Sequence, residues 1–477
     1  MKSAFFWSFA SNYIGIVVQL ISTMLLARLM TPSEIGAYAI AGALFSVAQM
    51  FRDMGVSTYL IREQNLSKSQ IEAALFIVCS TCIIIAFILL LMSGPVASFY
   101  ELPILDVVLK ILAVNLLIIP FGTFAQSQLR KNMQFKRLGG IALGSQLVHL
   151  LVATSLAIYD FGALSLAFAS LGSTFTTIIL VNRLTPNSIR YSPRFFGVPE
   201  VLPVVLTIGA SNVVQSLDNQ AHPLIIGKAM SESAVALLDK GFAVITLLNQ
   251  AVLNGIQAVL TPFFARMQGS STQLESSYLN IVGFVTVIAW PFLFYVAFNA
   301  DFIVWLLFGS QWGDAAILVP TLCIMSAIAT IDRYFSDFLL NVGLEKIVLK
   351  LNMSMFVLNV VILFYFSKFD LLTVVKGFVF VSCVRLLTTT FILSAYGGVS
   401  VKKLMMVLIR SAIITLFSII PFVPTFLLDI KLSSIFYLAL HGLLVLCFWV
   451  LGTFLFKHLI SVEISNMYFK IIQKGNK

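Results

Sequence analysis

The chain has 477 residues, of which 59% are hydrophobic and only 10% charged, against roughly 25% charged in a soluble domain. So little polar surface cannot cover a globule in water, and the long, continuously apolar runs lack the alternation of membrane-barrel strands. This excludes a soluble protein and specifies an all-α, polytopic membrane protein. The surplus of 30 Lys and Arg over 20 Asp and Glu points to cytoplasmic loops and not to nucleic acid.

A spanning helix needs about 20 apolar residues. In chain order the sequence predicts about fourteen, at 3–27, 35–52, 73–95, 107–129, 138–159, 161–182, 201–227, 235–260, 279–299, 315–338, 348–367, 372–396, 404–427 and 433–456. The first follows Lys2 but is long for a signal-peptide core, and no small-residue cleavage site follows it, so it reads as a span. Residues 302–313 are too short to cross, and their Trp305 and Trp312 suit a membrane interface. No loop is long enough for a sizeable extramembrane domain. The largest, 183–200, carries three Pro and three Arg. The expected organisation is an N-lobe of six spans at 1–182, a cytoplasmic linker at 183–200, a C-lobe of six spans at 201–396, and a helix pair with a cytoplasmic tail at 397–477.

An even number of spans puts both termini on one side. With that side cytoplasmic, twenty Lys and Arg fall on inside segments and seven on outside ones, the latter including Arg28, Lys228 and Lys240. The bias supports both the topology and the orientation.

The chain also repeats itself. At an offset of 200, Ala10-Ser11-Asn12 meets Ala210-Ser211-Asn212, Arg28 meets Lys228, Met30 meets Met230 and Thr31 meets Ser231. At an offset of 210, residues 121–136 meet 331–346, with Lys136 on Lys346. Halves of six spans share one orientation, so the expected architecture is two six-helix lobes around a central cavity, suited to alternating access.

Polar residues at membrane depth are costly and usually functional. Span seven carries Asn212, Gln215, Asp218, Asn219, Gln220 and His222 within eleven residues, and Pro223 follows. Asn212, Gln215 and Asn219 form one helical stripe, read as the wall of a lined cavity. Asp218 is a candidate cation or proton site, or the partner of a nearby base. Span ten carries Asp332, Arg333 and Asp337, and span twelve a deep Arg385 that needs an anionic partner or water. Arg28 and Lys228 end the repeat-related helices, where snorkelling and substrate contact are both open readings. Cationic groups in an enclosed cavity would suit phosphate. Asn115 and Gln146 are expected to bond neighbouring helices, and Gly140 with Gly144 to allow close packing.

The five cysteines and four histidines are scattered through apolar runs, so neither a disulfide framework nor a metal site is expected. There is no phosphate-cradling glycine loop and no Ser/His/Asp arrangement. The chain reads as a non-enzyme without a resident cofactor.

Segments 27–40 (ARLMTPSEIGAYAI), 51–63 (FRDMGVSTYLIRE), 128–139 (QLRKNMQFKRLG) and 306–323 (LLFGSQWGDAAILVPTLC) together resemble the bacterial polysaccharide (oligosaccharide) flippases of the MOP superfamily. The resemblance implies a V-shaped bundle in the bacterial cytoplasmic (inner) membrane, with both termini inside. It implies translocation of undecaprenyl-pyrophosphate-linked repeat units for surface polysaccharide such as O-antigen, capsule or exopolysaccharide. A polymerase and a chain-length regulator are candidate partners. Arg28, Lys228, Arg333, Arg385, Asn12, Asn212, Gln215 and Asn219 are then the expected substrate contacts. Asp218 would be the hypothetical site of coupling to Na+ or H+, since acidic residues of span seven can serve so in related carriers. The alternatives are a cation-coupled multidrug exporter of the same superfamily and a membrane polysaccharide polymerase. Fourteen spans, and the absence of a large catalytic loop, argue against them.

Overall fold

A computed structural model describes residues 2–53, 55–63, 66–185, 191–248, 271–424, 434–458 and 460–461. Among these the chain is helical, and every expected span overlaps a helix. In chain order the helices are α1 (Lys2–Leu29), α2 (Pro32–Asp53), α3 (Val56–Arg62), α4 (Lys68–Tyr100), α5 (Ile104–Ile118), α6 (Pro120–Lys131), α7 (Phe135–Ile158), α8 (Ala163–Leu184) and α9 (Val198–Ala229). There follow α10 (Glu232–Leu248), α11 (Ser271–Phe298), α12 (Ala300–Phe308), α13 (Gly313–Asp332), α14 (Phe335–Asn341), α15 (Glu345–Phe366), α16 (Leu371–Tyr396), α17 (Val401–Ser418) and α18 (Ile435–Leu455). Ten of the spans are long and apolar enough to cross a bilayer, and α5 with α6 forms one more, bent by 54°. Pro120 opens α6. It has no N–H to give and its ring displaces the carbonyl four residues back, so the bend belongs there.

Both sequence echoes are structural. Helix α1 ends at Leu29 and α2 begins at Pro32; two hundred residues on, α9 ends at Ala229 and α10 begins at Glu232. The residues matched in these turns do the same work. Thr31 Oγ1 accepts from the Glu34 N–H at 3.3 Å while Glu34 Oε2 accepts from the Thr31 N–H at 2.8 Å, a reciprocal cap with Pro32 in the first helical position. Ser231 Oγ accepts from the Ala234 N–H at 3.1 Å. In the second echo the bent α5–α6 corresponds to α13–α14, which is broken at Arg333–Tyr334. The next helices begin 210 residues apart, at Phe135 and Glu345.

The chain divides into two compact units, 1–237 and 238–477. By contacts this division falls within α10, and α9 packs along α2 and α4. The end of the expected 183–200 linker is strapped to α4. Arg194 donates its backbone N–H to the Glu72 carbonyl at 3.2 Å and places Nε 3.7 Å from the Glu72 carboxylate. Tyr191 meets Phe124, and Phe195 meets Phe76, edge to face.

In the first unit α1 packs on α7, α7 on α8, and α5 on α4 and α8. Asn115 bonds Ser170 of α8 at 2.9 Å, as expected of an intramembrane amide. The close approach of α7 rests on Gly144 of the expected pair and on Gly139 in place of Gly140. Gly140 faces open space, whereas a Cβ on Gly139 would stand 2.5 Å from Ser11 Oγ, and one on Gly144 3.1 Å from Leu180. In the second unit α13 packs against α11 and α16, and α17 against α11. Tyr278, Tyr334, Phe335 and Phe338 fill the core they share.

Thr31→Ala removes one half of the reciprocal cap and is expected to cost about 1 kcal/mol. Thermal unfolding in detergent should show a lowered Tm for Thr31→Ala and a near wild-type Tm for Thr31→Ser.

Candidate functional site

Two clusters of polar side chains stand out, one in each unit. The first joins the repeated turns at the end of unit one predicted to face outside. Ser33 Oγ donates to Glu232 Oε1 at 2.7 Å. Gly36 lies directly against the backbone of Glu232: a Cβ there would stand 1.8 Å from the Glu232 carbonyl oxygen, which no side chain could tolerate. One turn along, Gly227 admits Ile40, whose Cδ1 would be 2.6 Å from a Cβ. Tyr100 Oη donates to the Leu224 carbonyl at 3.1 Å. Lys228 Nζ stands 2.9 Å from Glu101 Oε1 and 5.1 Å above the Phe99 ring. Glu101 is held in the left-handed C-cap of α4, at φ 60°.

The second cluster lies in unit two. Arg385, in the middle of α16, donates Nε to Asp332 Oδ2 at 2.7 Å. The Asp332 side chain is 6% exposed and that of Arg385 33%. Asp332 is the last residue of α13, just before the break. Arg333 lies in the break, half-buried, beside the fully packed Tyr334. Nearer the predicted cytoplasmic end, Glu275 accepts from Lys403 Nζ at 2.8 Å and from the Ser400 N–H at 2.9 Å, so a buried carboxylate caps α17.

The expected site residues are therefore distributed over both units. The anionic partner that Arg385 needs is Asp332. Lys228 is paired with Glu101, and Arg28 is exposed in the last turn of α1, where a cation also suits the helix dipole. Asp218 is half-buried and Asn219 exposed on α9. The side chains of Asn12, Asn212 and Gln215 lie outside the described residues, and with them the expected stripe. Among the described residues no cluster of His, Cys, Asp and Glu could hold a metal ion.

One group passed unnoticed in the sequence. Lys240, counted there with the outer cations, lies within α10 and is only 8% exposed. Its Nζ stands 5.4 Å from the Phe308 ring and 5.1 Å from the Trp312 ring, two cation–π contacts. Trp312 is thus fully buried and is no interfacial anchor, whereas Trp305 is 53% exposed as such a residue should be.

A profile of the family described as "Polysaccharide biosynthesis protein" matches residues 25–317. The succinoglycan biosynthesis transport protein ExoT of Rhizobium meliloti is 24% identical over 342 residues, 71% of this chain and 68% of that protein. Among solved structures, the lipid II flippase MurJ in an inward closed conformation superposes with a TM-score of 0.78 at 12% identity, over 95% of this chain and 99% of that one. An inward-facing multidrug-resistance MATE transporter of the MOP superfamily gives 0.64 at 15% identity, over 84% and 98%. These likenesses establish the fold as that of helical transporters.

The joined turns make a graded prediction. Glu101 is 81% exposed and Lys228 39%, so Lys228→Gln is expected to cost no more than about 1 kcal/mol. Gly36→Leu would drive α2 off Glu232 and cost upwards of about 3 kcal/mol. Thermal melts of the two purified variants should differ accordingly.

Proposed function

Because the chain belongs to the polysaccharide biosynthesis protein family, we propose that it is a flippase that moves undecaprenyl-pyrophosphate-linked oligosaccharide repeat units across the bacterial cytoplasmic membrane. It is a multi-pass membrane transporter and not an enzyme. Its substrate has a strongly polar head, which hydrocarbon rejects at several kcal/mol for each unpaired group. A basic, water-filled cleft open to one side at a time removes that barrier while the polyprenyl tail stays in lipid. In this reading Arg28, Lys228, Arg333 and Arg385 take the pyrophosphate. Asn12, Asn212, Gln215 and Asn219 take the sugars. Asp218 is the group through which Na+ or H+ would couple.

The observation that carries the reading is the family match over 25–317 on a chain with cationic side chains at membrane depth, Arg385 above all. The printed role of ExoT in transport for succinoglycan biosynthesis is consistent with it. So is the energetics. With the cell interior negative, outward passage of anionic charge gains about 2.3 kcal/mol per charge per 100 mV. The same twenty-to-seven charge bias supports an orientation with both termini inside. A polymerase and a chain-length regulator would act on the delivered units.

Deleting the gene is expected to trap full-length lipid-linked repeat units on the inner leaflet and to abolish surface polysaccharide. Normal surface polysaccharide with raised drug sensitivity would contradict the reading in favour of an exporter. Single units left unpolymerised on the outer leaflet would contradict it in favour of a polymerase.

A further inference from the structure

We propose that Asp332 is a positioning residue, which grips Arg385 by Nε and so holds the two Nη groups ready for a phosphate-type dianion. The inference rests on the flippase reading for the identity of that anion, but its geometry is independent of it.

Arg385 is deep. It lies about 21 Å from the start of α16 and about 16 Å from its end, at 1.5 Å per residue. It is also on the inner side of that helix. The most exposed apolar residues nearby, Phe380 (53%), Leu387 (72%) and Phe391 (68%), lie roughly opposite it at 100° per residue. Phe378, Thr389 and Ile392, on its own face, are buried. A third of the Arg385 side chain is nonetheless accessible. A guanidinium so placed faces protein or water and not hydrocarbon.

The bonding pattern explains what the accessible part is for. A guanidinium carries five donors in a planar fork. Among the described residues Arg385 makes one hydrogen bond, from Nε to Asp332. A pair built only to neutralise charge would lay a carboxylate side-on across Nε and one Nη, the bidentate arrangement. Here both Nη groups are left over, and the ring of donors they present matches two oxygens of a phosphate. The fork is fixed from behind by a carboxylate that is almost wholly buried, so few rotamers remain for an anion to freeze out.

The location of Asp332 agrees. As the last residue of α13 it lies immediately before the break at Arg333–Tyr334, with its side chain 6% exposed. A buried ion pair seldom stabilises a fold more than well-packed apolar residues would. Asp332 supplies the counter-charge that a deep Arg385 requires, and its single bond to Nε orients the guanidinium at the same time.

The test uses the purified full-length chain in nanodiscs, with undecaprenyl pyrophosphate as the first probe and inorganic pyrophosphate as the second. Asp332→Asn should weaken binding of the lipid about tenfold, and Arg385→Lys should fail as badly as Arg385→Gln, because a lysine has no fork. The exchange Asp332→Arg with Arg385→Asp restores neutrality but removes the fork from α16. It should melt near the wild type and not bind. Binding by the exchanged variant, or undiminished binding by Asp332→Asn, would overturn the inference and leave a merely structural pair. If Asp332→Asn does not fold, the exchanged variant decides alone. Inorganic pyrophosphate bound as tightly as the lipid, with the same dependence on both residues, would uphold the positioning role and overturn the lipid-carrier reading. Equal binding of the lipid by the wild type and every variant would do the reverse. A wild type that binds neither probe overturns both.

Discussion

Hydrocarbon supplies neither hydrogen bonds nor counterions, so each ionisable group inside the bilayer must find its partner within the protein or face water. The second unit shows how this constraint is met. Arg385 is held by Asp332, and at the predicted cytoplasmic edge the buried Glu275 accepts from Lys403 and from the Ser400 N–H that precedes α17. Lys240 is enclosed by two aromatic rings. Each solution requires elements remote in sequence to meet: α13 with α16, α11 with α17, α10 with α12 and the turn after it. The pairings thereby fix which helices are neighbours. This matters because lipid tails are as apolar as the side chains and provide no hydrophobic drive between helices.

The repeated turns show a related economy. Thr31 and Ser231 cap equivalent helices, and the first turn lies against the second through Ser33, Gly36 and Glu232. The motif around residue 36 thus serves two ends. Its Thr-Pro-Ser-Glu stretch starts a helix cleanly, and its glycine lets another backbone come close. Such a contact is tight in geometry but built from one hydroxyl–carboxylate bond, one exposed ion pair and glycines. Around it Ala37, Ile40, Ala41 and Ile226 are buried, so the two turns close over packed apolar residues.

Much of the fold was legible because a membrane span is a local property. Twenty apolar residues announce a helix whatever surrounds them, and both repeats were visible in residues that later proved to be caps and helix starts. What depends on distant residues was not legible. The sequence required an anion for Arg385 but could not choose Asp332 from 53 positions away. Lys240 looked like one more outer charge, since its burial depends on Phe308 and Trp312, about seventy residues on. The glycine pair at 140 and 144 was half right, because helix rotation puts Gly139 and not Gly140 at the close contact. The packing of α9 along α2 and α4, which groups it by contacts with residues 1–237, depends on distant residues in the same way. The site was legible only in kind. Cationic groups at depth pointed to an anionic load, but the turn-end pairing of Lys228 with Glu101 could not be foreseen.

Movement of a lipid-linked sugar across a bilayer is the proposed function of this chain. The most direct measurement is leaflet exchange in vesicles containing only the purified protein and an undecaprenyl-pyrophosphate oligosaccharide, read by an enzyme or lectin that reaches the outer leaflet alone. The account predicts that the inner-leaflet pool becomes accessible when the protein is present, and that it does so far more slowly with Arg385→Gln. A rate no greater than that of protein-free vesicles, with a membrane potential and a Na+ or H+ gradient supplied in turn, would contradict it.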